Sequence, residues 1–134
     1  MTNTITPRTT VASTTTGRFW FAADAVISGV NGLAYLAAAG PIADLLGGEA
    51  TTYRWLGAFM VGYAAVIGLY ARSSLSRRMG WAIVVGNAVW VIASLEVAVT
   101  GMFDIDGLGR AWVVAQALVV ADLALMQARS LRAR

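Results

Sequence analysis

The segment Asp24-Ala-Val-Ile-Ser28-Gly29-Val-Asn31-Gly32-Leu-Ala-Tyr35 lies inside an apolar run, residues 19–39, that decides the fold class. Asp24 is the only charged residue in this run, which is long enough to cross a bilayer as an α-helix. At 3.6 residues per turn, its polar side chains share one face, and these are Asp24, Ser28, Asn31 and Tyr35. Because lipid offers no water to these groups, we expect the polar face to lie against protein or a hydrated cavity.

The composition indicates the broad class of protein. The chain has 134 residues, of which 58% are hydrophobic and 13% are charged. A soluble domain of this size would need more charged residues to cover its surface, so the composition is typical of an integral membrane protein. All ten basic residues are arginines, and they cluster at the edges of the apolar runs. They indicate orientation and contact with lipid headgroups, and they argue against nucleic-acid binding.

Two missing residue types exclude several kinds of catalytic site. The chain has no cysteine and no histidine, which excludes thiolate nucleophiles, zinc–thiolate sites, His-ligated haem and Ser-His-Asp triads. The segment Asp104-Ile-Asp106-Gly resembles the start of a calcium loop, but position 115, where such a loop carries glutamate, is alanine. The sequence therefore predicts no catalytic residue, no metal and no cofactor.

Four apolar runs define the predicted domain, residues 19–128. They are residues 19–39, 54–71, 79–101 and 110–128. Because the connections between them are short, successive helices should be antiparallel neighbours in an all-α, up-down-up-down transmembrane four-helix bundle. Gly40-Pro41 should end the first helix, and Ile42 to Leu46 should add a short interfacial turn. The Thr-rich residues 1–18 are expected to be a disordered tail, and residues 129–134 a basic tail.

The distribution of arginine predicts the topology. One side of the predicted bundle carries eight arginines, namely Arg8, Arg18, Arg72, Arg77, Arg78, Arg129, Arg132 and Arg134. The opposite side carries only Arg54 and Arg110. By the positive-inside rule, both termini should be cytoplasmic in a multi-pass protein of the bacterial inner (plasma) membrane.

A weak internal repeat relates the first and second halves of the chain. Asp24-Ala-Val matches Asn87-Ala-Val at an offset of 63 residues, and Ala71-Arg-Ser matches Ala128-Arg-Ser at an offset of 57. Each match alone is at chance level, but the matches keep their order along the chain. They suggest a duplication that gave two parallel helical hairpins.

Small and polar residues suggest how the helices pack. Helix three carries such residues at seven-residue spacing, namely Gly80, Asn87, Ser94 and Gly101. Gly29 and Gly32 form a similar small surface on helix one. Because small residues favour close helix contacts in membranes, we expect helices one and three to face each other. Asn31 and Asn87 would then be interhelical hydrogen-bond partners, or alternatively a pair of amides that binds a substrate.

Polar residues inside the runs are the candidate ligand-binding residues. They are Asp24, Ser28, Asn31, Tyr35, Asn87, Trp90, Gln116 and Asp122. Two interpretations of Asp24 remain open, a hydrogen-bonded tie between helices and a protonatable site. Asp122 is expected at a similar depth, where the two carboxyl groups would either share a proton or point apart. Glu96, nearer the outer edge, is expected to reach Arg54 or Arg110 or extend to water.

Three motifs carry a family resemblance. They are Asp24-x3-Ser28-Gly29-x-Asn31-Gly32, the Gly57 and Gly62 of the second run, and Asn87-x2-Trp90. With them, the membrane portion resembles a group of small, uncharacterised bacterial four-helix integral membrane proteins, and more distantly the DoxX-like proteins. The resemblance implies a four-helix membrane fold and carries over no functional residue. The small multidrug resistance family is a poorer match, because its helix-one glutamate is aspartate here and the arginine bias opposes dual topology.

The sequence leaves two classes of function open. The first is a non-enzymatic membrane module, either a helper subunit or a binder of a lipid, a quinone or another small hydrophobic molecule. The alternative is a proton-coupled small-molecule transporter or channel that uses Asp24 and Asn31; a lipid-modifying enzyme comes third. Expected partners are the lipid bilayer and either a second copy or a larger membrane protein. A polar cavity open to one side would favour transport, and a dry, glycine-packed seam would favour the module.

Overall fold

The computed structural model describes residues 5–73 and 76–133, with the backbone alone for residues 5–16. In these ranges the chain forms five α-helices and a short 3₁₀ helix, Met102–Asp104. The α-helices are α1 (Ile5–Ala37), α2 (Ala39–Leu46), α3 (Ala50–Ala71), α4 (Arg77–Thr100) and α5 (Gly107–Arg132). Four of them, α1, α3, α4 and α5, are long and apolar enough to cross a membrane. The predicted all-α four-helix bundle of a small membrane protein is confirmed.

The four long helices run alternately up and down. At one end of the bundle, the Arg18 Nη1 donates a hydrogen bond to the carbonyl oxygen of Ala71, at 2.8 Å. At the other end, the Gly48 amide donates to the Asp104 carbonyl oxygen at 3.1 Å, which joins the two connections there. We call the first end the terminal side, because α5 also ends there, and the second end the α2 side.

Both ends of the bundle differ from the predicted tails. The backbone of α1 is helical from Ile5, within the segment for which the sequence predicts disorder, while residues 1–4 lie outside the described residues. A helix that is already nucleated extends at little cost per residue, so the Thr-rich segment can continue the membrane helix. The last helix likewise continues to Arg132, beyond the predicted limit of residue 128. Arg129 and Arg132 in its last turn are favourably placed at the negative end of the helix dipole.

The break after α1 occurs at Ala38, before the predicted Gly40-Pro41 stop. Gly40 and Pro41 instead lie in the first turn of α2, so the expectation that they end the helix by themselves is wrong. Proline is tolerated in a first turn because the backbone N–H it lacks would have no partner within the helix. The short interfacial turn expected at residues 42–46 is part of this eight-residue helix.

Polar caps set the starts of α4 and α5. The Ser76 hydroxyl accepts a hydrogen bond from the Met79 amide at 3.4 Å, and the Asp106 carboxylate accepts one from the Gly109 amide at 2.7 Å. Such caps satisfy amides that have no partner within the helix. The helices therefore begin two and three residues before the runs predicted at 79 and 110.

The long helices pack as two hairpins. The most extensive contacts are those of α1 with α3 and of α4 with α5; α1 also packs on α5, whereas α3 and α4 make few contacts. Gly32 and Gly57 let α1 and α3 cross closely, since a methyl group on Gly32 would lie 2.9 Å from the Gly57 carbonyl oxygen. The prediction that the Gly32 surface faces helix three, here α4, is therefore wrong. The arrangement as two hairpins fits the predicted repeat.

Buried apolar residues form two groups, one toward each end. The group on the terminal side comprises Phe21, Ile67, Tyr70, Ala71, Ile83 and Leu131. The group on the α2 side comprises Tyr35, Ala39, Leu46, Tyr53 and Met60. Many large apolar side chains instead point outward, and Val99, for example, is 79% exposed. An apolar exterior around a partly polar interior is the arrangement expected of a bundle surrounded by lipid.

Candidate functional site

A buried carboxylate on α1 is the centre of a polar network between the helices. Asp24 is only 1% exposed. Its Oδ2 accepts hydrogen bonds from the Asn87 amide on α4 and the Gln127 amide on α5, both at 2.8 Å. Its Oδ1 accepts one from the Ser28 hydroxyl, one turn further along α1, at 3.1 Å. Three donors therefore satisfy this carboxylate inside the bundle.

The network also reaches α3. The Tyr63 hydroxyl lies 3.1 Å from the Asn87 Oδ1 and 3.2 Å from the carbonyl oxygen of Ile83, and it donates toward both. The Asn87 amide also donates to the Gln127 Oε1 at 3.0 Å. We call Asp24, Ser28, Tyr63, Asn87 and Gln127 the Asp24 cluster. It links all four long helices, and no buried side-chain nitrogen or oxygen among the described residues is left without a partner.

The contact between two members of this cluster fits the predicted internal repeat. Asp24 and Asn87 occupy equivalent positions in the two hairpins, at the offset of 63 residues. Equivalent residues of two parallel repeats can meet near the axis that relates the repeats. In the structure these two side chains are hydrogen-bonded to each other.

A second, smaller polar group joins α1 to α5 toward the α2 side. The Trp112 Nε1 donates to the Tyr35 hydroxyl at 2.8 Å, and this hydroxyl donates to the Gln116 Oε1 at 3.2 Å. Tyr35 is buried, with its ring edge-on to that of Tyr53 at a centroid distance of 5.4 Å. The two polar groups together hold α1 against α5 at two depths.

A central cavity of about 350 Å³ lies between the two polar groups. Its wall is mostly apolar and aromatic, and among the described residues none that lines it is charged. The polar side chains on the wall are Ser28, Asn31, Tyr63, Asn87 and Gln116. Asn31 differs from the others, because its amide makes no hydrogen bond to any described residue. It is a free donor and acceptor on the wall of the cavity.

A second cavity of about 210 Å³ adjoins the first on the α2 side. Aromatic rings form much of its wall, including Tyr35, Tyr53 and Phe103. Trp90, Trp112 and Gln116 line both cavities. Together the two spaces extend from the Asp24 cluster to the connections on the α2 side.

The loose pairing of α3 and α4 accounts for the space in the bundle. Where these helices approach, flat rings lie between them: Phe59 stacks on Trp90 across the gap at 6.0 Å and on Tyr63 at 5.9 Å. Phe59 is itself 57% exposed. Bulky stacked rings separate helix backbones further than glycine contacts do, which explains why α3 and α4 are less closely packed than α1 and α3.

The structure brings together several of the residues predicted from sequence. Asp24, Ser28 and Asn87 meet in one cluster, Tyr35 and Gln116 in the second polar group, and Asn31 and Trp90 line the central cavity. The predicted hydrogen bond between Asn31 and Asn87 is wrong. The Asn87 amide instead donates to Asp24, because a carboxylate is a stronger acceptor than an amide.

Two predicted carboxylates lie elsewhere. Asp122 is exposed on the outer surface of α5, so it does not share a proton with the buried Asp24. Glu96 is likewise exposed on α4, and in the described part of the chain it forms no salt bridge with Arg54 or Arg110. Each points away from the interior of the bundle.

Sequence reasoning missed two members of the Asp24 cluster, Tyr63 and Gln127. Gln127 is completely buried although it lies one residue from the end of the predicted fourth run. The sequence did contain a signal for Gln127, because an amide side chain is unusual inside an apolar run. Gln116 and Gln127 are the only glutamines of the chain, and both lie in the fourth run. Tyr63 carried a weaker signal, because aromatic residues are common in such runs.

No group of three or more potential metal ligands comes together in the part of the chain that the structure describes. What the two cavities offer chemically is apolar surface, aromatic rings and neutral hydrogen-bonding groups, with one carboxylate, that of Glu49, on the wall of the smaller cavity.

Comparison of this chain with protein-family models, with curated proteins and with solved structures finds no match.

Proposed function

We propose that this small membrane protein is a non-enzymatic module that binds a neutral, ring-containing hydrophobic molecule in its central cavity. The observation that carries the proposal is the Asn31 amide, the polar side chain on the cavity wall that has no hydrogen-bond partner among the described residues. Ligand sites commonly combine a large apolar surface with a few polar groups that fix orientation. A free amide in such a wall can perform that task.

The size and chemistry of the cavity favour this class of ligand. A volume of about 350 Å³ lies within the usual range for small-molecule sites. The wall offers neutral amides and hydroxyls and, among the described residues, no charge, which suits a carbonyl or hydroxyl group better than a charged headgroup. Trp90, Trp112 and Phe59 offer ring faces for a flat aromatic or quinone ring. A quinone is the simplest molecule that combines these features.

The contacts of Asp24 support a structural role over the alternative of proton-coupled transport. Asp24 is not among the residues that line either cavity, and its oxygens accept three hydrogen bonds from the protein. The close contact of Gly32 with Gly57 is also the kind of seam expected of a static module. Proton-coupled transport is the competing proposal, and the Asp24→Asn variant distinguishes the two.

Ligand binding can be tested with a defined probe, decyl-benzoquinone, titrated into the purified protein in lipid nanodiscs. Because Trp90 and Trp112 line the cavity, bound quinone should quench tryptophan fluorescence with a saturating dependence on concentration. Asn31→Leu should weaken binding about tenfold, which corresponds to the loss of one hydrogen bond of about 1.4 kcal/mol.

Val30→Leu is the matched control, because Val30 is adjacent in sequence and 63% exposed. It should bind the probe as the unaltered protein does. Quenching that rises linearly without saturation, and equally in both variants, would mean that the quinone collides with tryptophans from the lipid. That result would overturn the proposed cavity site.

Orientation and family are proposals that rest on the sequence. Eight arginines against two favour cytoplasmic termini, and the three motifs around Asp24, Gly57 and Asn87 favour kinship with a group of small bacterial four-helix membrane proteins that is only distantly DoxX-like. Because the chain has no cysteine, the orientation can be tested with single cysteines, one inserted after Gly48 and one as Arg134→Cys. An impermeant thiol reagent applied to intact cells should label the first and not the second. Labelling of both, or of neither, would contradict the proposed orientation.

A further inference from the structure

Asp122 is a carboxylate without a partner on the outward surface of α5. Its side chain is exposed and makes no hydrogen bond or salt bridge to any described residue. It is separated by 12 residues from Arg110 and by 7 from Arg129, which corresponds to about 18 Å and about 10 Å along the helix axis. The short aspartate side chain cannot span either distance to reach water at the membrane edge.

A carboxylate in this position is unfavourable against lipid. Acidic residues within membrane-crossing helices almost always face a protein interior or a hydrated cavity, and they pair with other polar groups. Glu96 is a useful contrast, because it lies only four residues from the end of α4 and has a longer side chain that can extend to the edge. Asp122 therefore requires a polar partner from outside the described bundle.

The surface around Asp122 has a regular pattern. It is a stripe of exposed residues that recur along α5 on the side away from the core, here called the α5 stripe: Ala111, Leu118, Asp122, Leu125 and Arg129. Leu118 and Leu125 are 65% and 55% exposed. The spacing of three, four and seven residues is that of the seam between two packed helices. The stripe also carries an acid and a base, so its charges balance.

We propose that two copies of this chain pair through the α5 stripe and bury Asp122 in the contact. Two copies inserted with the same topology have parallel α5 helices, and a two-fold axis along the membrane normal brings each stripe residue against its counterpart. The two Asp122 carboxylates then lie at the same depth, where the Arg129 guanidinium of each copy can extend across the contact toward the Asp122 of the other.

Arg129 completes the balance of charge. It lies two turns from Asp122 toward the terminal side. Because helical side chains lean toward the helix N-terminus, the guanidinium extends toward the depth of Asp122. The pair of chains therefore contributes two acids and two arginines to one interface. A surface that is complementary in charge to itself favours a second copy over a different protein, which would need to supply its own base.

Cysteine cross-linking tests this arrangement directly, because the natural chain has no cysteine. Leu118→Cys and Leu125→Cys place thiols in the stripe. Val89→Cys is the matched control, since Val89 is 60% exposed and lies mid-way along α4. With the full chain in vesicles at a high lipid-to-protein ratio, mild oxidation should give at least five times more covalent dimer for the stripe variants. Equal cross-linking of all three variants would overturn the proposal.

A second measurement addresses Asp122 itself. Single-molecule photobleaching of labelled protein in vesicles should show mainly dimers, and Asp122→Leu should lower the dimer association constant about tenfold. Asp122→Asn should retain most of the dimer, because an amide also donates and accepts hydrogen bonds. When measured on the monomers, the melting temperatures of the two variants should equal that of the unaltered protein, since Asp122 is exposed in the single chain. Unaltered protein that is monomeric at all densities would overturn the proposed pairing and assign Asp122 to a different partner. A dimer that is equally stable in the Asp122→Leu variant would overturn the role of Asp122 in the contact.

Discussion

Toward the terminal side, polar and apolar side chains from four helices fill the interior of the bundle, whereas toward the α2 side the same helices line two cavities that are partly open to the outside. Asp24, Asn87 and Gln127 are each at most 2% exposed, and Phe21, Ile67 and Leu131 fill the space near them. Ser28, Tyr63 and Asn87 also line the central cavity, so the Asp24 cluster forms its floor. The packed half holds the helices in place, and the open half has room for a ligand.

The difference arises from the two contacts between the hairpins. In a symmetrical duplication, the contact of α1 with α5 and that of α4 with α3 would be alike. Here α1 packs on α5 with two sets of hydrogen bonds, while α3 and α4 make few contacts. The stacked rings of Phe59 and Trp90 lie between the latter pair. The two hairpins therefore form the scaffold, and the unequal contacts between them leave room for the cavities.

The largest loss of stability is expected from Asp24→Ala. It removes the acceptor of three hydrogen bonds and leaves the buried amides of Asn87 and Gln127 short of a partner. We expect the free energy of unfolding to fall by about 2–4 kcal/mol, measured by SDS-induced unfolding in mixed micelles. Glu96→Ala is the control, because it removes an exposed carboxylate and should change the value by less than about 0.5 kcal/mol. Equal effects of the two changes would contradict the role of the cluster.

The glycine contact between α1 and α3 should be nearly as sensitive. Gly32→Leu forces side-chain atoms against the Gly57 carbonyl oxygen and should lower the free energy of unfolding by about 1–3 kcal/mol through overpacking. Gly62→Leu on α3 is the control, because a Cβ there meets no heavy atom within 4 Å. Similar stability of the two variants would show that α1 and α3 do not depend on this close approach.

A smaller loss is expected at the edge of the packed half, from Tyr63→Phe. The change keeps the ring that stacks on Phe59 and removes the hydroxyl that donates to Asn87. The free energy of unfolding should fall by about 0.5–1.5 kcal/mol. A double-mutant cycle with Asp24→Ala should show coupling, because both residues contact Asn87. Strict additivity would mean that the polar contacts are independent of one another.

The sequence was sufficient to predict the architecture, because each helix that crosses lipid needs an apolar run of a minimum length and such runs can be found along the chain. Apolar runs of membrane-crossing length, separated by charged and glycine-containing segments, predicted four helices in the right order. The starts of α3, α4 and α5 were misjudged by two to four residues, since polar caps such as Ser76 and Asp106 lie outside the apolar pattern, and α1 begins at Ile5 instead of residue 19. The polar face of α1 was also predicted correctly in so far as Asp24 and Ser28 are hydrogen-bonded together inside the bundle.

The rotation of each helix about its own axis was not available from one sequence. Small residues indicate that a surface is packed, but not which helix packs on it, so Gly32 was paired with α4 when its neighbour is Gly57 on α3. The same uncertainty left open whether Asp122 shares a proton with Asp24 or points apart from it, and in the structure Asp122 faces outward. Gln127 was missed because it lies close to Arg129, where a polar residue is expected to be solvated. Which helices pack on each other can be determined only from the contacts in the three-dimensional structure.

Asp24→Asn is the change for which a structural tie and a transport site predict opposite results. The asparagine oxygen can take the place of the Oδ2 that accepts from Asn87 and Gln127, and its amide can donate to the Ser28 hydroxyl, which then turns to accept. The tie is therefore preserved, and the free energy of unfolding should change by less than about 1 kcal/mol. The decisive measurement is of melting temperature, quinone quenching and proton-linked flux on the same reconstituted Asp24→Asn protein. We predict that its melting temperature and quinone quenching match those of the unaltered protein, and that neither protein carries such a flux. A flux that is present in the unaltered protein and vanishes in Asp24→Asn while the melting temperature holds would contradict the structural role of Asp24.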